Sequence, residues 1–240
     1  MYYGQSKTIL EQGSTGVPPS VPFSQPKNLF RFGEQTLWST QLLAQGTDPA
    51  NATFRLFTTP LGQQGQGFLN ALSIGETNLK EGGRIPNGIA YDVFGVACQL
   101  GKTSSAEAAG SVGVMGQLIN TDARIDELVS VQTNCVLSWD FTQTQVDIAP
   151  VELIGAGGGL YGSISTDDAG AGALASVGTM NNGAGSVWLY RKHPVALPGS
   201  STFSILARFG SRIAAIGGAD DDFFIKVILL GYYKNVIEIG

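Results

Sequence analysis

Between residues 137 and 142 the apolar side chains of Leu137, Trp139 and Phe141 alternate with the polar ones of Ser138, Asp140 and Thr142. Only an extended chain sends every second side chain to one face, so this run predicts a pleated strand with one dry and one wet side. Val146 and Ile148 are apolar on the opposite parity, which requires either a turn within residues 142 to 145 or a bulge there. Phe203, Ile205, Ala207 and Phe209 repeat the alternation. Residues 224 to 230 are apolar on both parities apart from Lys226, so the final strand is expected to be covered on both faces.

From Thr36 onward the same grammar recurs, with short β-rich runs separated by Gly, Pro, Asn and Asp. Strands are expected at about 36 to 43, 53 to 59, 88 to 100, 135 to 149, 186 to 192, 202 to 209 and 223 to 237. That pattern predicts an all-β, antiparallel sandwich. One helix interrupts it: Thr121 can cap, Asp122 suits the positive end, and Ile125, Leu128 and Val129 fall at i, i+3 and i+4 before a stop at Asn134.

Residues 1 to 27 carry Gly13, Gly16, Pro18, Pro19, Pro22 and Pro26 among Ser and Gln, which suits neither a helix nor a central strand. They are expected to form an extended N-terminal arm, leaving 28 to 240 as a single domain. The Gly- and Ala-rich stretches 104 to 118 and 155 to 186 offer almost no large anchors and read as long surface loops.

Composition narrows the function. Charged residues are 14% of the chain against 43% hydrophobic, so Gln, Asn, Ser and Thr must supply much of the polar surface, as on surfaces that face other protein. A net charge of −5 without a basic stripe argues against direct nucleic-acid binding. Cys98 and Cys135 both lie in apolar surroundings and are expected to be buried free thiols. Residues 1 to 7 show no export leader, and no apolar run is long enough for a membrane helix.

Motifs that carry chemistry fail on spacing or context. Gly95 to Thr103 resembles a phosphate loop, but the first glycine is one residue out of place, and Val93 to Leu100 reads as strand, whose amides a ladder would occupy; Lys102 is then a solvated turn residue. Residues 157 to 162 fit G-x-G-x-x-G, yet no amphipathic helix follows. His193, the only histidine, has no second imidazole for zinc and reads as a polar residue at a strand end. Asp140, Asp147 and Glu152 could be considered for acid–base hydrolysis, but alternation sets Asp140 on the wet face. Asp220, Asp221 and Asp222 could offer oxygens to calcium, yet lack the spaced ligands of a dedicated loop, so a solvated hairpin tip is expected. No catalytic, cofactor or metal residue is therefore assigned.

In the C-terminal third, Val187-Trp188-Leu189-Tyr190, then His193-Pro194-Val195-Ala196-Leu197-Pro198-Gly199, then Ser201 to Phe209 and a closing strand resemble the last strands of jelly-roll major capsid proteins from tailless, icosahedral, often membrane-containing bacteriophages. The turn and strand from Gly83 to Phe94 resemble the start of the barrel in such subunits. The resemblance spans about residues 28 to 240 and implies a single jelly roll, since turn signals suggest about eight strands rather than the sixteen of a double one. It implies no active residue. It does imply a structural coat protein in the virion, made in the host cytoplasm. Its partners would be copies of itself, a second coat, vertex or minor capsid protein, and an underlying membrane where the virus has one. The alternative is a non-enzymatic β-sandwich binding module, such as a phage spike or tail component or a lectin-like domain.

Overall fold

A computed structural model of the chain describes residues 28–44, 46–104, 129–141, 144–154, 161–167, 175–181, 187–190, 192–213 and 221–238. The arm proposed for residues 1 to 27 and the first part of the expected helix lie outside them. Within them the chain is built of antiparallel strands: β1 (Asn28–Leu43), β2 (Thr53–Leu56), β3 (Ile89–Ser104), β4 (Cys135–Phe141), β5 (Thr144–Pro150), β6 (Tyr161–Asp167), β7 (Ala175–Asn181), β8 (Trp188–Leu189), β9 (Val195–Leu197), β10 (Phe203–Phe209) and β11 (Asp221–Glu238).

One sheet runs β1-β11-β3-β8, with β9 also on β3; the other runs β2-β10-β4-β5. β8 meets Gly95 and Val96 while β9 meets Tyr91 to Val93, so the two act in tandem as one interrupted strand. The pairs nest: β4 with β5 is innermost, then β3 with β8 and β9, then β2 with β10, and β1 with β11 outermost. Successive levels of this nest fall in alternate sheets.

The alternating positions meet between the sheets. Val93, Val96, Cys98, Phe223, Ile225, Val227 and Leu229 from one sheet join Leu56, Leu137, Trp139, Phe203, Ile205 and Ala207 from the other in a single core cluster. Each large aliphatic or aromatic side chain removed from water there contributes about 1.5–3 kcal/mol. Trp139 stacks on Phe141, centroids 5.6 Å apart, and its indole Nε1 donates to the Tyr190 hydroxyl at 2.7 Å. That bond ties the segment after β8 to β4 of the facing sheet.

The parity conflict after Phe141 is resolved by the turn, and a bulge follows further along, outside residues 142 to 145. β4 and β5 form a hairpin, so the chain turns; and the register shifts between Leu137, opposite Ala149, and Ser138, opposite Asp147. Ile148 is the extra residue and is buried, as is Ala149 opposite Leu137, while Val146, opposite Trp139 near the turn, is exposed. A second shift sits between Leu230 and Gly231 of β11. There the Tyr91 ring occupies the space a side chain on Gly231 would need, 2.5 Å from an ideal Cβ, and the Tyr91 hydroxyl donates to the carbonyls of Gln35 and Leu229.

Several expectations need correction. β1 begins eight residues before Thr36 and β3 extends to Ser104, because each pairs along nearly its full length with the long β11. The supposed loop 155 to 186 contains the antiparallel hairpin of β6 and β7, held by backbone pairing that needs no large side chains. Residues 129 to 134 are helical as expected, but Val131 is the buried valine and Val129 is exposed. Of the loop expected at 104 to 118, Ser104 still belongs to β3 and the rest lies outside the described residues.

Candidate functional site

With the core enclosed between the sheets, what remains among the described residues to carry function is the two outer faces, the edges and the segments between strands. On the β1-β11 sheet the outer face is roofed by the long segment between β2 and β3. Phe68 and Leu72 of that segment pack on Leu42 and Phe224 in a second small cluster. Thr40 Oγ1 donates to Glu76 O at 2.8 Å, Trp38 Nε1 to Ile74 O at 3.0 Å, and Lys226 Nζ to Gly75 O at 2.9 Å. Lys226 also lies 5.6 Å from the centre of the Trp38 ring, and burial lowers its pKa against the opposing pull of Glu76. The roof covers Phe224, as the two-sided apolar pattern of that strand requires.

The same segment caps part of the sheet edge. Asn78 Oδ1 accepts from Trp38 N at 2.9 Å, its Nδ2 donates to Thr36 O at 2.8 Å, and Thr77 bridges Ser39. Nothing in the composition of residues 57 to 88 announces this role, since its apolar residues follow neither a two- nor a 3.6-residue period. Four left-handed glycines, Gly62, Gly67, Gly83 and Gly88, bend it into place, and Gly67 approaches the Leu42 carbonyl closely.

The outer face of the β2-β10-β4-β5 sheet is polar. Asp140 pairs with Arg55 at 2.7 Å and accepts from Ser204 Oγ at 3.1 Å. Asp147 pairs with Arg208 and accepts from Ser138 Oγ at 2.8 Å. Arg208 Nε in turn donates to Ser138 Oγ at 3.0 Å. Asp140 is therefore on the side away from Trp139, as alternation predicts. The two carboxylates share one open sheet face, each with its own arginine, and Glu152 is exposed in the 3-10 turn Val151–Leu153. They do not converge on a cleft.

The remaining candidates are scattered. Gly95 to Thr103 all lie in β3 with their backbone in the ladder; Lys102 pairs with Phe223 and is not a turn residue. Of the glycine motif, 157 to 160 fall outside the described residues, while Tyr161 and Gly162 open a strand rather than a helix. His193 is exposed just ahead of β9. Asp220 lies outside the described residues; Asp221 and Asp222 pair with Ser104 and Thr103 in β11, and Asp222 is fully buried, so the expected solvated tip is wrong for it. No group of His, Cys, Asp or Glu among the described residues is placed to hold a metal ion. Cys98 and Cys135 are free and buried; burial pushes the Cys98 thiol up to about 12 and raises that of Cys135 as well. Compared with models of known families, with curated proteins and with solved structures, the chain finds no match.

Proposed function

We propose that this chain is a non-catalytic coat subunit with a single jelly-roll fold, which assembles with copies of itself into an icosahedral shell. The observation that carries the reading is the nesting of the strand pairs. A jelly roll is a long hairpin of paired strands rolled so that successive levels fall in opposite sheets. The orders β1-β11-β3-β8/β9 and β2-β10-β4-β5, with β8 and β9 sharing one position, support that reading.

Fold alone leaves the role open, because coat, lectin and other binding proteins share jelly rolls. The coat role is favoured by the low charge of the chain and by side chains such as Leu61, Leu69, Ile74, Trp188 and Leu189 standing exposed on its outside. Contacts of modest individual strength suffice when closed symmetry repeats them. On this reading the chain resides in the virion after synthesis in the host cytoplasm, beside further copies, a minor or vertex coat protein and any membrane beneath.

Negative-stain microscopy of the purified full chain tests the reading. Closed shells, or sheets of a regular lattice, are the expected product. Discrete trimers or monomers across assembly conditions would instead favour a spike, tail or lectin-like binding module.

A further inference from the structure

Among the described residues, nothing covers part of the sheet edge that strand β1 forms. Its register with β11 is continuous from Asn28 to Leu43, so the backbone groups of alternate residues point alternately into the ladder and out to the edge. Trp38 and Thr36 point outward, where Asn78 caps them, and Gln35 points inward, where its carbonyl meets the Tyr91 hydroxyl. By alternation Phe32 and Glu34 also point outward. Among the described residues β1 pairs with β11 alone between Asn28 and Gln35, and no hydrogen bond uses the outward groups of Phe32 or Glu34. The uncapped stretch runs from Asn28 to the Asn78 cap at Thr36.

We infer that this edge is a two-fold contact, in which β1 of one copy pairs antiparallel with β1 of a second copy, Phe32 opposite Phe32. Three observations select that occupant and register. An outward-facing residue must oppose another outward-facing residue, and the register centred on Phe32 sets Phe30, Phe32 and Glu34 of one copy against Glu34, Phe32 and Phe30 of the other, stopping short of the Asn78 cap at Thr36 on both. Phe32 is 55% exposed, with Lys234 5.7 Å over its ring, so the contact would bring two open aromatic rings together across the axis.

The third is a complementarity built into the strand. Arg31 would face Gly33 of the second copy, and the space above Gly33 is filled by the ring of Tyr233, 2.5 Å from where a Cβ would be. An exposed guanidinium thus meets an aromatic ring that a larger residue at position 33 would have displaced. The contact does not depend on the coat reading, since a free dimer would use it equally.

Cysteine cross-linking of the full chain tests the register. In a hydrogen-bonded antiparallel pair directly opposite Cα atoms are about 5.5 Å apart, within the roughly 4.4–6.8 Å that a disulfide spans. Phe32→Cys should therefore give a dimer on a non-reducing gel after mild oxidation, while Glu34→Cys, about 13 Å from its own copy along the strand, should not. Cys98 and Cys135 are buried, so they do not compete. Absence of the Phe32→Cys dimer, or equal cross-linking of both variants, overturns the inference. Shells that lack the cross-link would overturn the edge contact and leave the coat reading standing; cross-linked dimers that never form shells would do the reverse.

Discussion

Phe223 and Phe224 are neighbours in β11 that point to opposite faces, and both are buried. Phe223 enters the core between the sheets; Phe224 is buried only because Phe68 and Leu72 lie across it. Truncating a buried phenylalanine to alanine costs about 3–5 kcal/mol, the transfer of the ring plus the cavity left behind. Phe224→Ala should fall in that range, close to Phe223→Ala, whereas on a bare sheet face the same change would cost about 0.5 kcal/mol or less. Urea unfolding followed by tryptophan fluorescence measures both, with Trp38 under the roof and Trp139 in the core as reporters. The coupling between Phe224→Ala and Phe68→Ala, about 0.5–3 kcal/mol for side chains in contact, isolates the roof itself. A Phe224→Ala cost under about 1 kcal/mol, or additivity with Phe68→Ala, would refute the idea that residues 57 to 88 are part of the folded body.

Three further outcomes are expected. The Cys98 thiol has an ordinary value of 9.0 and is pushed up to about 12 in the fold, so above pH 9 only the unfolded chain loses this proton; this thiol should lower stability by about 1.4 kcal/mol per pH unit up to about pH 12, the buried Cys135 adds to the fall, and Cys98→Ala should lessen the slope in alkaline unfolding curves. Tyr190→Phe removes the acceptor of the Trp139 indole and strands a buried N–H, which should cost about 1–3 kcal/mol by chemical denaturation. Asp140→Asn breaks an ion pair whose arginine is 59% exposed, so its effect on the unfolding midpoint should be about 1 kcal/mol or less and should shrink further in high salt.

Part of the chemistry was legible without coordinates. Reading Val93 to Leu100 as strand argued against a phosphate loop, though Lys102 was wrongly taken for a turn residue, and alternation set Asp140 away from Trp139. The roof over Phe224 was implied by a strand apolar on both faces, but its identity was not. Residues 57 to 88 reach it through irregular turns and side chain to backbone bonds, which leave no period to detect.

What the chain determines locally is which residues face inward: a period of two is a property of consecutive residues, and it marks β4 and β10 directly. Which strand lies beside which was decided by the tertiary structure. Asn28 pairs with Glu238 and Thr53 with Arg208, across most of the chain's length. Backbone hydrogen bonds that make such pairs are the same for every residue type, so they leave little trace in composition; partner and register follow from closing two dry faces over one core. The hairpin of β6 and β7, whose backbones pair in a continuous register, was misread as a loop for the same reason.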